Sequence, residues 1–519
     1  MKRIKKDWLL LALLLLLQCT LLIYFGSTKQ GMHFDEVYSY FTTNSSGGRT
    51  ANDGAWLSGE DIRKDFYVRQ GEAFHYGEVI REQSYDVHPP VFYLLLHTVC
   101  SLMPGVFSMW QGVGLNIVYA LITTVFIYLI LRKLTQNTWF AFALSLLYVC
   151  NPGVITNVML IRMYMLMTMW MTIAIWLHLC MGERFRRSYF AINAALAFVG
   201  FLTHYYYLIF LFFLEACYWL PRLKREWKSF LIYAGSMLGA GGLAVVCYPA
   251  SLGHIFVGYR GKQATGNFFH LADLSSRFRF FGSLLNQFVF QGAMLPVLLL
   301  AITALVILII RKRAELRVFV TCLLLPTLGF YLVSVKASLY GEMAMLRYQL
   351  PVYGLFLLCV GITIILFARE FLQPISQRYA FGFLIACFVT LFFLEGKGIL
   401  EKNVYFCYPE QKEMAAFAKE HASDTVVYLY HKDEYKYLMW ADSMQLWNYD
   451  RIYFVNAEHA DTIAEEEINQ AENLIVYVSV MGADKEPEAY LNSIYQSAPC
   501  VENHSLAYES TYAKVYELR

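Results

Sequence analysis

Apolar residues in this chain come in runs of about twenty, longer than the alternation of a strand or the one-sided stripe of a surface helix. Runs of that length match the roughly 30 Å hydrocarbon core of a bilayer. Eleven segments qualify as spans: residues 8–25, 111–131, 139–157, 161–181, 188–203, 205–220, 229–249, 285–310, 317–335, 348–367 and 379–395. Basic clusters punctuate them: Arg132-Lys133; Arg184, Arg186 and Arg187; Arg222, Lys224, Arg225 and Lys228; Arg311, Lys312 and Arg313 with Arg317; and Arg369 with Arg378. Cytoplasmic loops are enriched in Lys and Arg, and one alternation of crossings puts all five clusters on that side. Val91 to Met103 is apolar but about a turn too short to cross. Counting it as a crossing would place Arg132-Lys133 outside and reverse every later basic loop, so it reads as an interfacial or re-entrant helix. The N-terminus carries four basic residues ahead of Trp8 and no small-residue cleavage site follows the first run, which predicts a retained span with a cytoplasmic N-terminus.

After about Glu395 the long apolar runs stop and Glu, Asp, Lys and Tyr become frequent. Thr425 to Tyr430 and Asn473 to Val480 read as buried strands from their β-branched and aromatic content. Stretches 409–421, 459–472 and 486–496 read as helices. The predicted fold is therefore mainly α: a polytopic membrane helix bundle over residues 1–395, including a first outer loop at 26–110, and a small extracytoplasmic α/β domain over 396–519. Composition agrees, with 58% hydrophobic and 16% charged residues, the profile of a multi-pass cell-membrane protein. A net charge of +2 with no basic stripe excludes a nucleic-acid partner. Most of the eleven cysteines sit in apolar runs and none has C-x-x-C spacing. Cys407 and Cys500 lie in the polar part, where a disulfide and two thiols are both open readings.

The candidate chemistry collects on the outer face. His33-Phe34-Asp35-Glu36 opens the first outer loop and Asp86-Val87-His88-Pro89-Pro90 closes it. Acids this close to hydrocarbon are costly to keep and mark functional sites. A carboxylate facing a hydroxyl can take its proton as the oxygen attacks a sugar carbon. Two prolines suit the first turn of a helix and would aim Asp86 and His88 at the outer surface. Arg162 and Tyr164 sit at the outer end of a span and Arg347 starts another; an arginine there can bind a lipid phosphate bidentately and stabilise its charge as it leaves. Arg260 and Lys262 lie in a Gly-flanked outer loop, Gly258 to Gly266, suited to cover such a phosphate. His204, in an aromatic outer turn, is the weak candidate for a divalent metal; no cofactor is otherwise indicated.

The pair of motifs bounding the first outer loop resembles the protein O-mannosyltransferases, and more broadly the bacterial family 39 branch of the GT-C membrane glycosyltransferases. The layout of spans extends the likeness over roughly residues 1–395. The resemblance implies that Asp35 is the catalytic base, that Glu36 positions it or the acceptor, and that Asp86 and His88 shape the donor site. It implies a polyprenyl-phosphate-sugar lipid donor, membrane lipids as surroundings, and a glycan, lipid or protein as acceptor. The chain departs from the eukaryotic enzymes in lacking Gly-Lys after His88-Pro89-Pro90 and in carrying its extra domain at the C-terminus. The expected function is inverting sugar transfer to an acceptor hydroxyl at the extracytoplasmic face. The alternative, a lipid-carrier or polysaccharide transporter or flippase, calls for ionisable residues deep in several spans, and Glu215 is the one clear acid within a predicted span.

Overall fold

The computed structural model describes residues 2–45, 52–183, 186–270, 272–311, 314–432 and 442–519. Arg184, Lys312 and Arg313 of the basic clusters lie outside the described residues. The chain divides into two compact units. One takes Met1–Ser27, Ile80–Phe92 and Gly112–Tyr405; the other takes Thr28–Val79, Tyr93–Gln111 and Phe406–Arg519.

The first unit is helical. Among the described residues seven helices are long and apolar enough to cross a membrane: Lys6–Thr28, Met109–Thr135, Tyr164–Gly182, Leu223–Cys247, Leu316–Ala337, Leu350–Leu372 and Gln377–Leu400. The expected span at 139–157 is instead a bent pair, Thr138–Cys150 and Pro152–Met159, with a 54° break. Pro152 has no N–H to continue the ladder, and the Asn151 side chain caps the second piece by accepting from the Val154 N–H at 3.2 Å. Length therefore supports seven or eight spans. The helices Ser188–Phe201, Tyr207–Trp219 and Met294–Ile310 hold 14, 13 and 17 residues, short of a full crossing. The last was expected from 285, but Gln291 and Gly292 take positive φ values of 49° and 91° and break the run after Leu274–Phe288. Val91–Ser101 is eleven residues long, as a helix that does not cross should be.

One reading of the spans needs correction. The final helix runs on to Leu400, so Glu395 also lies inside an apolar helix, buried and accepting from Asn151 Nδ2 at 3.0 Å. Its partner lies at the helix break, which makes it part of that joint.

The second unit is built on a six-stranded sheet. Its strands are β1 (Ala55–Leu57), β2 (Thr425–Tyr430), β3 (Ile452–Asn456), β4 (Leu474–Ser479), β5 (His504–Glu509) and β6 (Ala513–Leu518), in the order β1-β3-β2-β4-β6-β5. The central β3-β2-β4 strands are parallel and almost wholly buried, which is why β2 and β4 show as continuous apolar runs in the sequence. The outer strands pair antiparallel. Short β1 comes from the first outer loop and aligns Ala55 with Phe454 and Leu57 with Ile452. The loop is pinned there by Asp53, which accepts from the Asn456 N–H at 2.6 Å, and by Trp56 Nε1, which donates to Glu465 at 3.1 Å. The helix expected over 459–472 is reduced to a 3₁₀ turn, Ala457–Thr462, and one short turn, Glu466–Asn469. Ile463 between them packs into the sheet's apolar core. Cys407 is buried and Cys500 exposed.

Candidate active site

In the second unit, Asp35 and Glu36 fall in the first turn of a helix, Phe34–Asn44. His33 is its N-cap: His33 Nδ1 accepts from the Asp35 N–H at 3.1 Å, and Glu36 Oε2 accepts from the His33 N–H at 2.7 Å. This reciprocal cap satisfies donors that the first turn leaves open. The positive end of the helix also favours carboxylates at these positions. The two acids have different fates. Glu36 is fully buried against Lys29, whose Nζ lies 2.9 Å from Oε1 with only 1% of its side chain exposed. The Asp35 side chain is 22% exposed and has His33 Nδ1 at 3.6 Å. Glu36 is thus built into the loop while Asp35 retains an open side.

The C-terminal part of the chain holds this loop in place. Lys29 donates to the Phe406 carbonyl, Gln30 N–H donates to the Cys407 carbonyl at 2.8 Å, and Gln411 pairs with both backbone groups of Met32 at 3.3 and 3.4 Å. Any Cβ on Gly31 would lie 2.1 Å from Gln411 Oε1, so the close approach requires glycine there. Phe34 packs on Tyr512 with ring centroids 5.9 Å apart. Lys29 went unnoticed in the sequence; the signal was a lysine just past an apolar run and seven residues ahead of an acid.

The first unit brings together Asp86, His88 and Arg162. His88 Nδ1 lies 2.7 Å from Asp86 Oδ2, and Arg162 Nη2 lies 3.3 Å from His88 Nε2. A guanidinium can only donate, so Nε2 accepts and the His88 proton sits on Nδ1, facing the carboxylate. Burial pushes the Asp86 carboxyl up, but its His88 partner and the Arg162 charge outweigh that and hold it below the usual carboxylate range. Arg162 is 2% exposed; it follows the broken helix pair and precedes the Tyr164–Glu183 helix. Asn116 fixes this turn by donating to the Val158 and Leu160 carbonyls at 3.1 and 2.7 Å.

Aromatic rings extend the cluster. His204 lies 6.3 Å from His88 and 5.4 Å from Tyr164, centroid to centroid, and Tyr348 lies 6.3 Å from Tyr164. Arg347 is buried and stacks on Tyr348 at 5.0 Å while donating to the Ala344 carbonyl at 3.0 Å. Through Tyr348 it connects to Tyr164, two residues after Arg162 in the chain. His204 Nδ1 accepts from the Tyr206 N–H at 3.0 Å, which occupies one of the nitrogens a metal would use. Among the described residues no group of three or more His, Cys, Asp or Glu side chains is placed to hold a metal ion. The segment Gly258 to Gly266, expected as a loop, is mostly helix, Tyr259–Phe269. Within it Arg260 bonds Gln263 at 3.0 Å and Lys262 is exposed. Two further groups brace the Asp86 turn: Tyr248 donates to the His88 carbonyl at 3.5 Å, and His254 bridges Tyr205 at 2.9 Å and the Ser84 carbonyl at 3.2 Å. His254 went unremarked in the sequence because nothing local ties it to Ser84, 170 residues away.

Residues 87–248 match the family model of dolichyl-phosphate-mannose-protein mannosyltransferases. The match includes His88, Arg162, Tyr164 and His204. No curated protein matches the sequence. Among solved structures, the chain is similar to ArnT from Cupriavidus metallidurans bound to undecaprenyl phosphate, with 11% identity, a TM-score of 0.54 and 98% of each chain covered. It is also similar to the Archaeoglobus fulgidus oligosaccharyltransferase in complex with zinc and sulfate, with 11% identity, a TM-score of 0.41, and 88% of this chain and 68% of that one covered. The chain is therefore a multi-pass membrane protein with the fold of ArnT, and it resembles the dolichyl-phosphate-mannose-protein mannosyltransferases over residues 87–248.

Proposed function

We propose that this protein is a membrane glycosyltransferase that moves a sugar from a polyprenyl-phosphate donor to an acceptor hydroxyl at the extracytoplasmic face, with inversion. The observation that carries the reading is the Asp86–His88–Arg162 chain, in which the guanidinium is buried and the other two side chains are partly exposed, within or next to the segment resembling the mannosyltransferases. A guanidinium held in this way can grip a lipid phosphate with paired N–H groups. Arg162 holds the donor phosphate, with Arg347 and Tyr164 supporting. Asp86 and His88 orient Arg162.

Asp35 is the base. The acceptor hydroxyl gives its proton to the Asp35 carboxylate as its oxygen bonds to the anomeric carbon. The bond from that carbon to the phosphate oxygen breaks on the opposite face, and the phosphate leaves with the electron pair. Glu36, spent on Lys29 and the helix cap, is a positioning residue. The extracytoplasmic placement rests on the basic clusters at the opposite ends of the spans.

The test is transfer of radiolabelled sugar from a panel of polyprenyl-phosphate sugars by wild type and Asp35→Asn. Transfer lost in the variant, with unchanged melting, is the expected result. Equal transfer by both proteins would remove Asp35 as base, and consumption of no donor by the wild type would refute the activity.

A further inference from the structure

At the far end of the same bundle lies a cavity of about 440 Å³ that plays no part in the proposed transfer. Lys133, Arg222, Arg225 and Arg317 line it, and Glu226 is the carboxylate among its described lining residues. The cations come from three separate stretches of chain: the end of Met109–Thr135, the start of Leu223–Cys247, and the helix Ala314–Phe319. Four like charges converging on one hollow repel one another, and that repulsion is relieved when an anion binds among them.

Two of the cations are held in place by the fold. Arg222 Nη1 donates to the Tyr218 carbonyl at 2.6 Å and its guanidinium stacks over the Tyr218 ring at 4.0 Å. Lys133 Nζ lies 5.2 Å from the Trp176 ring centre. Arg225 and Arg317 are exposed at the mouth. A phosphate matches this set, because arginines can grip it with paired N–H groups and lysine adds a point charge.

The surroundings favour a lipid over a dissolved ion. Val318, itself lining the cavity, is 44% exposed, and Leu220 and Trp227, on either side of Arg222 and Arg225 in sequence, are 67% and 53% exposed. Apolar side chains left open around a cationic hollow at the ends of membrane helices fit acyl chains beneath a charged head group. The cavity is distinct from the Arg162 cluster. His178 lines it, Tyr164 lies by His204, and both are on one helix. At 1.5 Å per residue, the fourteen steps between them span about 21 Å.

We propose that this cavity is a binding site for the phosphate head group of an anionic membrane phospholipid, at the opposite end of the bundle from Arg162. Full-length protein in detergent is titrated with phosphatidylglycerol, and with phosphatidylcholine as the zwitterionic reference, while native mass spectrometry counts bound lipid. Each basic residue beside an anionic head group is worth roughly fivefold in affinity, so Arg225→Gln with Arg317→Gln should weaken phosphatidylglycerol binding by about 30-fold. Arg378→Gln, on a different cleft, should leave it unchanged. Melting in phosphatidylcholine checks that the pair is folded; should it not be, Arg317→Gln alone carries the test through its fivefold loss. Unchanged affinity in the folded variants, or equal binding of the two lipids, overturns the proposal. Displacement of phosphatidylglycerol by millimolar inorganic phosphate overturns the lipid assignment in favour of a soluble phosphate site.

Discussion

Lys29 and Glu36 form a charge pair that is almost completely removed from solvent, and this makes a sharp prediction about how the Asp35 loop is held. Removing one partner of a buried pair leaves the other charge without compensation, at a cost of roughly 3–5 kcal/mol. Glu36→Gln keeps an oxygen for the His33 N–H, so its cost should fall near the lower end, about 3 kcal/mol. Lys29→Met strands the carboxylate and should cost at least as much. The double variant removes both charges and should recover at least about 2 kcal/mol relative to the sum of the singles. In a unit of this size 1 kcal/mol shifts the melting temperature by about 2–4 °C, so each single variant should melt about 6–12 °C lower. Trp447, packed 4.9 Å from both Phe66 and Phe107 in the same unit, is a fluorescent reporter for that transition. Single variants melting within about 2 °C of wild type, or a double variant losing the full sum, would refute the reasoning. The contrast with Asp35→Asn is the useful part: that change should remove turnover while leaving the melting curve in place.

Arg162→Gln should lower kcat/KM for the polyprenyl-phosphate donor by about 10- to 100-fold, the worth of a charge-assisted contact, with donor titration as the check. Asp442→Asn should be stabilising at neutral pH. Burial pushes the Asp442 carboxyl from 3.8 up to about 6, with Ser510 and Tyr428 only partly opposing. Folding therefore carries no penalty below about pH 4, a growing one between the two values and the full one above pH 6, worth up to about 3 kcal/mol. The variant should melt higher than wild type at pH 7.5 and the same at pH 4. Gly59→Ala should destabilise the loop by about 1–3 kcal/mol, because the new Cβ would lie 2.4 Å from the Trp447 carbonyl oxygen; loss of amide protection in β1 by hydrogen exchange is the measurement.

What the sequence by itself determined follows from transfer free energy, which acts residue by residue. The apolar runs, the helices they form, and the buried central strands β2 and β4 were legible because each carries its own signal over a continuous stretch. The acids at the two ends of the first outer loop and Arg162 stood out for the same reason, as polar residues where hydrocarbon makes them expensive.

Tertiary structure decided the pairings. Strand β1 is only three residues long and exists because β3 offers it an edge almost 400 residues away. The break at Asn151 depends on Pro152 locally, yet its buried partner Glu395 comes from the last helix. Local sequence sets Asp35 and Glu36 side by side, and only the family resemblance gave them different roles. Lys29 and the Phe406 carbonyl separate them, burying one and leaving the other open. Long-range contacts of this kind have no period and no local composition, so they become visible only when the folded chain brings their partners within hydrogen-bond reach.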